Sequence, residues 1–204
     1  FRYDRSYSQV IYLGSEINAS GTITSLAWYY NNIFETIPNH NIDVYIGHTR
    51  KNNFTYTQQS GTKADYEPAT NLTKVYSGRL VTNSSKGWKT IILDTPFDYD
   101  GSSNLVVAVN SSFNGQIWPF SDPDRFYNTS NSGVRTLTSQ TNGGAPYNPE
   151  ALPSYATFSG NTPNIKFGGL SQSCETPKGL AVSNITTNSA TITFDVPTTT
   201  ISSG

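Results

Sequence analysis

Cys174 is the one thiol among 204 residues, and there is no methionine. A single cysteine excludes an intrachain disulfide, and with it the cross-linked scaffold on which small secreted domains rely. Histidine is nearly as scarce, with His40 and His48 only, and neither stands in an H-E-x-x-H or C-x-x-C spacing. Charged residues make up 13% of the chain, well under the usual globular share. The 13 basic and 14 acidic residues nearly cancel, to a net −1, and no basic cluster stands out. Nucleic-acid binding draws its affinity from a concentrated positive surface that releases counterions, so that partner class is excluded. No apolar run approaches bilayer-spanning length, which speaks against membrane insertion. The chain starts at Phe1 without a secretory leader; leaders are removed on export, so this says nothing about destination.

Asparagine, serine and threonine take the place of charge, and aromatics reach 13%. Short hydroxyl and amide side chains compete for backbone hydrogen bonds and disfavour long helices. Large rings supply the buried area that the modest aliphatic content lacks. Seven Asn-x-Ser/Thr triplets occur, at Asn18, Asn53, Asn71, Asn83, Asn110, Asn128 and Asn184, a number expected by chance in such a composition.

Strand signals repeat along the chain: 8–13, 22–30, 42–49, 73–80, 87–93, 104–109, 116–118, 133–137 and 164–167. Asn104-Leu105-Val106-Val107-Ala108-Val109 is apolar throughout, as a central strand buried on both faces would be. Arg50–Ala69 and Thr141–Pro163 are polar or rich in Gly and Pro and read as connections, and Pro96–Gly101 reads as a turn. No helical period of useful length exists. Many short strands with irregular connections predict an all-β fold, an antiparallel β-sandwich of jelly-roll type.

The stretch from Cys174 differs. Pro177, a Leu180-Ala181-Val182 strand, a polar turn and the alternating Thr191-Ile192-Thr193-Phe194 resemble the opening two strands of a fibronectin type III domain. Two domains are therefore expected: 1–172 as the jelly roll, and 173–204 as a linker and the truncated start of a fibronectin type III-like domain. Residues 6–170 resemble a jelly-roll domain that recurs in large secreted proteins of Bacteroidota-type bacteria, of galactose-binding-like and adhesin type. The likeness is carried by Tyr7–Ile17, Gly21–Ala27, Asp43–Thr49, Thr95–Gly101 and Asn104–Val109. It implies a module of a secreted or cell-surface protein, placed beside fibronectin type III repeats, and supplies no ligand and no binding residues.

Chemistry is sought next in the residues themselves. No Gly-x-Ser-x-Gly elbow surrounds a serine, and nothing places a base beside Cys174, so nucleophilic catalysis has no candidate. A glycosidase needs two positioned carboxylates, yet most Asp residues here stand in turn-like sequence where they cap backbone N–H groups. Asp98-Tyr99-Asp100-Gly101 and Asp122-Pro123-Asp124 offer oxygen ligands that would suit a structural calcium, but neither is a full calcium loop, and two tight turns are the plainer expectation. His48 is expected to be structural, at the end of its strand.

Sugar recognition requires flat aromatic faces and planar polar groups. The richest loop for it is 116–128, which holds Trp118, Phe120, Asp122, Arg125 and Tyr127, with Tyr147 on the following loop. These six residues are the ligand-contact candidates, and the rival expectation is that the loop folds back to cap the sandwich. Trp28 and Trp88 sit in strand patterns and are expected in the core. The chain is thus expected to be no enzyme and to need no cofactor. It is expected to be a monomeric accessory module binding a glycan or polysaccharide, with a structural or protein-docking role on another surface protein as the alternative, and a glycosidase as the remote one.

Overall fold

The computed structural model describes residues 5–31, 40–57, 63–81, 85–112, 126–172 and 178–195. The chain divides into two compact units, Phe1–Ser171 and Gln172–Gly204.

In the first unit, β1 (Arg5–Tyr12) leads through a one-turn helix α1 (Gly14–Ile17) to β2 (Gly21–Tyr30) and β3 (His40–Thr49). The two-residue strands β4 (Tyr56–Thr57) and β5 (Lys63–Ala64) follow, then a 3₁₀ turn at Ala69–Asn71. β6 (Thr73–Leu80), β7 (Gly87–Tyr99) and β8 (Asn104–Ser112) come next. Five short strands finish the unit: β9 (Asn128–Ser130), β10 (Thr136–Thr141), β11 (Thr157–Ser159), β12 (Asn161–Pro163) and β13 (Ile165–Gly168).

The pairing is that of one long hairpin rolled up. β1 pairs with β8, β2 with β7, β3 with β6 and β4 with β5, every pair antiparallel. Rolling that hairpin sets the order β11-β10-β1-β8-β3-β6 in the larger sheet, with β13-β2-β7 as a separate sheet and β12-β9 as a two-stranded ribbon. This is jelly-roll connectivity in an all-β sandwich.

Alternation along the strands builds the core between the two main sheets. Val10, Tyr12, Ile42, Val44, Ile46, Leu105 and Val107 of the larger sheet meet Ile23, Leu26, Trp28, Ile91, Leu93 and Tyr99 of the smaller one. Each such side chain contributes about 1.5–3 kcal/mol on burial. β8 lies between β1 and β3, and its apolar run is buried on both faces. The second face is covered by the segments that read as connections. Phe54, Tyr66, Leu72, Ala156 and Phe158 pack with Ile11, Val106 and Leu137 into a smaller cluster on the outer side of the larger sheet. Polar runs can cover a sheet because a few spaced apolar residues suffice.

Pro96 does not end a strand. β7 runs on to Tyr99, but Ile23 pairs with Phe97 while Ser25 pairs with Ile92, so the intervening residues of β7 bulge out. β7 is at a sheet edge, where the N–H that proline lacks leaves no ladder bond unmade. The strand expected at 133–137 begins later, with β10 at Thr136, and the loop expected over 141–163 contains β11 and β12. The strand expected at 116–118 lies outside the described residues.

The second unit shows one antiparallel hairpin, β14 (Lys178–Ser183) with β15 (Thr191–Asp195), irregular between Lys178 and Ala181. Its apolar side chains Leu180, Val182, Ile192 and Phe194 are all more than half exposed.

Candidate functional site

The outer face of the smaller sheet carries aromatic rings. Ile23, Leu26 and Trp28 of β2 point to the core, so Tyr29 points away from it. Ile91 and Leu93 of β7 point inward, and Trp88, Thr90 and Ile92 outward. The register sets Tyr29 opposite Trp88, and the two rings meet edge to face with centroids 5.3 Å apart. Tyr127, just before β9, donates its backbone N–H to the Tyr29 carbonyl at 2.9 Å and lays its ring 5.1 Å from that of Tyr29. Lys166 of β13 lies opposite Ala27, and its ammonium sits 4.1 Å from the centre of the Trp88 ring. Tyr127 is 47% exposed and Ile92 is 69% exposed, so the cluster meets solvent.

Of the six expected contact residues, Tyr127 belongs to this face. Tyr147 does not: its carbonyl accepts from the Asn110 side chain on the outer side of the larger sheet, at 2.7 Å. Trp118, Phe120, Asp122 and Arg125 lie outside the described residues. Trp28 is in the core as expected, but Trp88 is not, and this corrects the expectation for it. Its strand reads Thr90-Ile91-Ile92-Leu93, where consecutive apolar residues hide which phase faces inward. Tyr29 and Lys166 were also missed. The signal for Tyr29 was available, since three successive aromatics in a strand cannot all face one side.

A second concavity, a cleft of about 430 Å³, is lined by Glu16, Asn52, Asn53, Asn104, Asn131 and Arg135 among others. Its polar groups are largely engaged with one another. Arg135, whose side chain is 4% exposed, donates to both carboxylate oxygens of Glu16, at 3.2 and 2.7 Å, and twice to the Ile11 carbonyl. Burial alone would raise the Glu16 carboxyl, but the hydrogen bonds from Arg135 and from the Leu13 N–H bring it below its ordinary value. Asn104 accepts from the Gly14 N–H and donates to the Lys51 carbonyl and Asn52. Glu16 is the one carboxylate among these lining residues, and it is ion-paired.

Asp98 and Tyr99 end β7 rather than forming a turn, and the turn that follows is held by the Asp100 carboxylate. Asp100 Oδ1 accepts the N–H groups of Ser102 and Ser103, each at 2.8 Å, and Oδ2 accepts the Ser103 hydroxyl. The Ser103 hydroxyl first, then the two N–H groups and nearby His48, hold this carboxyl well below the usual range. His48 stacks on Tyr99 at the end of β3, as a structural residue there would. Asp98 accepts from the Thr22 hydroxyl. Among the described residues no group of three or more His, Cys, Asp or Glu could hold a metal ion. Among them, too, no helix is long and apolar enough to cross a membrane.

The fold and the face together define an all-β sandwich of jelly-roll connectivity with an exposed aromatic surface on its smaller sheet. Comparison with protein families, curated proteins and solved structures finds no match for the chain.

Proposed function

We propose that this chain is a non-catalytic accessory module of a secreted or cell-surface multidomain protein, and that it binds carbohydrate on the outer face of the smaller sheet. The observation that carries the reading is the Tyr29–Trp88–Tyr127 cluster, three rings held at 5.1–5.3 Å spacing on a solvent-facing sheet. Such rings offer apolar faces to sugar C–H groups, while the two phenol hydroxyls offer hydrogen bonds to sugar hydroxyls. Strand register holds Tyr29 and Trp88, and a backbone hydrogen bond to Tyr29 holds Tyr127, so little side-chain freedom is lost on binding. The engaged Arg135–Glu16 pair favours binding over hydrolysis in the polar cleft, where a second free carboxylate would be needed.

The test is a polysaccharide and glycan array with the purified chain, repeated with Trp88→Ala and Tyr127→Ala. Binding by the parent, lost in both variants while the far-ultraviolet spectrum and melting temperature hold, is the expected result. A blank array on folded protein would overturn the reading.

A structural or protein-adhesion role is the second reading. The exposed row of Leu180, Val182, Ile192 and Phe194 favours it, because an isolated two-stranded hairpin gains little stability without cover for its apolar face. That row is also what the opening hairpin of a fibronectin type III-like sandwich would present.

A further inference from the structure

A row of polar side chains crosses the outer face of the larger sheet. Register places Ser139 of β10 beside Tyr7 of β1, Tyr7 beside Asn110 of β8, Asn110 beside Asp43 of β3, and Asp43 beside Ser77 of β6. Residues directly opposite in a ladder share a face, so the five form one continuous track. Nearly every group in it is matched. Ser139 donates to the Tyr155 carbonyl, Tyr7 accepts from Gln9, and Asp43 accepts from the Ser77 hydroxyl at 2.6 Å and from Lys74 at 2.9 Å.

Asn110 is the exception. It is 8% exposed, its Nδ2 donates to the Tyr147 carbonyl, and its Oδ1 is buried with no hydrogen-bond partner among the described residues. An unmatched buried acceptor costs stability, which a donor arriving from outside would restore. Asn110 also lines a pocket of about 320 Å³ with Asn41, Asp43, Ser77, Ser112 and Pro146.

We propose that this pocket is a second ligand site, which takes a neutral polyhydroxylated unit of monosaccharide size and receives one of its hydroxyls on Asn110 Oδ1. The charge around the pocket decides the ligand class. Asp43 is already neutralised by Lys74, whose ammonium that hydrogen bond holds above its ordinary value. A metal cation therefore meets a spent carboxylate with a positive charge beside it. An anion meets oxygen acceptors. A hydroxyl suits both the amide oxygen and the remaining capacity of Asp43, while Asn41 and Ser112 can donate as well as accept. Pro146 supplies an apolar wall for ring C–H groups, and the volume sits at the small end of ligand pockets. The site stands on the opposite sheet from the aromatic face and does not depend on it.

The experiment is amide chemical-shift mapping on the full chain, titrated separately with D-glucose, D-galactose, D-mannose and L-fucose. Saturable shifts confined to 41–43, 77–78, 110–112 and the two residues that flank Pro146 are expected with at least one sugar. They should persist in Trp88→Ala, which separates this site from the aromatic face. Asn110→Ala should abolish them. Because that variant also loses the tie to Tyr147, Asn41→Ala on the exposed rim serves as a second variant, expected to weaken binding several-fold without lowering the melting temperature. The proposal is overturned if no sugar gives shifts there, if shifts survive unchanged in folded Asn110→Ala, or if calcium chloride produces them instead. A single ordered water on Asn110 Oδ1, with no sugar-induced shift, overturns it equally.

Discussion

The side chain of Gln9 pairs with the backbone of Glu67 as a neighbouring strand would. Its Oε1 accepts the Glu67 N–H at 2.7 Å, and its Nε2 donates to the Glu67 carbonyl at 2.9 Å and to the Tyr7 hydroxyl at 3.0 Å. Both Gln9 and Glu67 are buried. This pair of hydrogen bonds fixes the long connection after β3 onto the outer face of the larger sheet, beside the Tyr7 phenol, which burial pushes up to about 12.

Gln9→Leu keeps the volume and removes both bonds, leaving a buried N–H and a buried carbonyl unmatched. The expected loss is about 3 kcal/mol, taken from the cost of orphaned buried polar groups. The midpoint of urea unfolding measures it, and a shift near zero would mean that water replaces the amide.

Acid should destabilise the fold through three carboxylates. Asp100 is held low by the Ser103 hydroxyl and two N–H groups. In Glu16 and Asp65 burial pulls upward, but hydrogen bonds from Arg135 and from Lys51 and Thr55 outweigh it. A carboxyl depressed in the folded state adds stability above its unfolded value, and that stability is lost as pH falls through the folded value. Ordinary values of 3.8 for Asp and 4.5 for Glu place the onset. The melting temperature should therefore be insensitive to these groups above about pH 5 and fall progressively below about pH 4. Asp100→Asn should flatten that fall, as thermal melts across the range would show.

Lys166 competes with any planar ligand for the face of Trp88. An exposed cation–π contact is worth about 0.5–1 kcal/mol, so Lys166→Ala should tighten glycan binding roughly two- to fivefold. Titration calorimetry with a glycan that binds on the array decides this. Weaker binding in the variant would instead make the ammonium a ligand donor.

Gly47→Ala should destabilise by about 1–3 kcal/mol through overpacking. A methyl there would run into the Asn71 carbonyl oxygen and stand 2.7 Å from Leu72 Cδ2, where the chain after the 3₁₀ turn lies close over β3. Chemical denaturation measures the loss, and an unchanged midpoint would show that this covering segment gives way freely.

Much of the sandwich was legible along the chain because strands announce themselves locally. The apolar run of β8 predicted its central place, and Ile42, Val44 and Ile46 showed their inward face by alternation. Trp88 was misjudged because Ile91 and Ile92 are both apolar, and phase within such a run depends on which sheet packs behind it. Tyr127 was among the candidates, but Tyr29, which its ring meets, and Lys166, which lies over Trp88, were not. They come from β2 and β13, separated from it in sequence, and strand register together with the Tyr127–Tyr29 backbone hydrogen bond gathers them. Asn110 gave no sign at all: an Asn-Ser-Ser stretch looks the same whether its amide is solvated or buried beneath Tyr147.

By itself, then, the sequence determined the class of fold, since low charge, many hydroxyls and short alternating runs can bury apolar surface only as strands. It also excluded a disulfide within this chain, because Cys174 has no second cysteine to pair with. Only the tertiary structure decided which residues share a surface. Strand pairing joins positions as distant as Ala27 and Lys166, or Asn110 and Asp43, and such pairing depends on the register of whole ladders rather than on any neighbour along the chain.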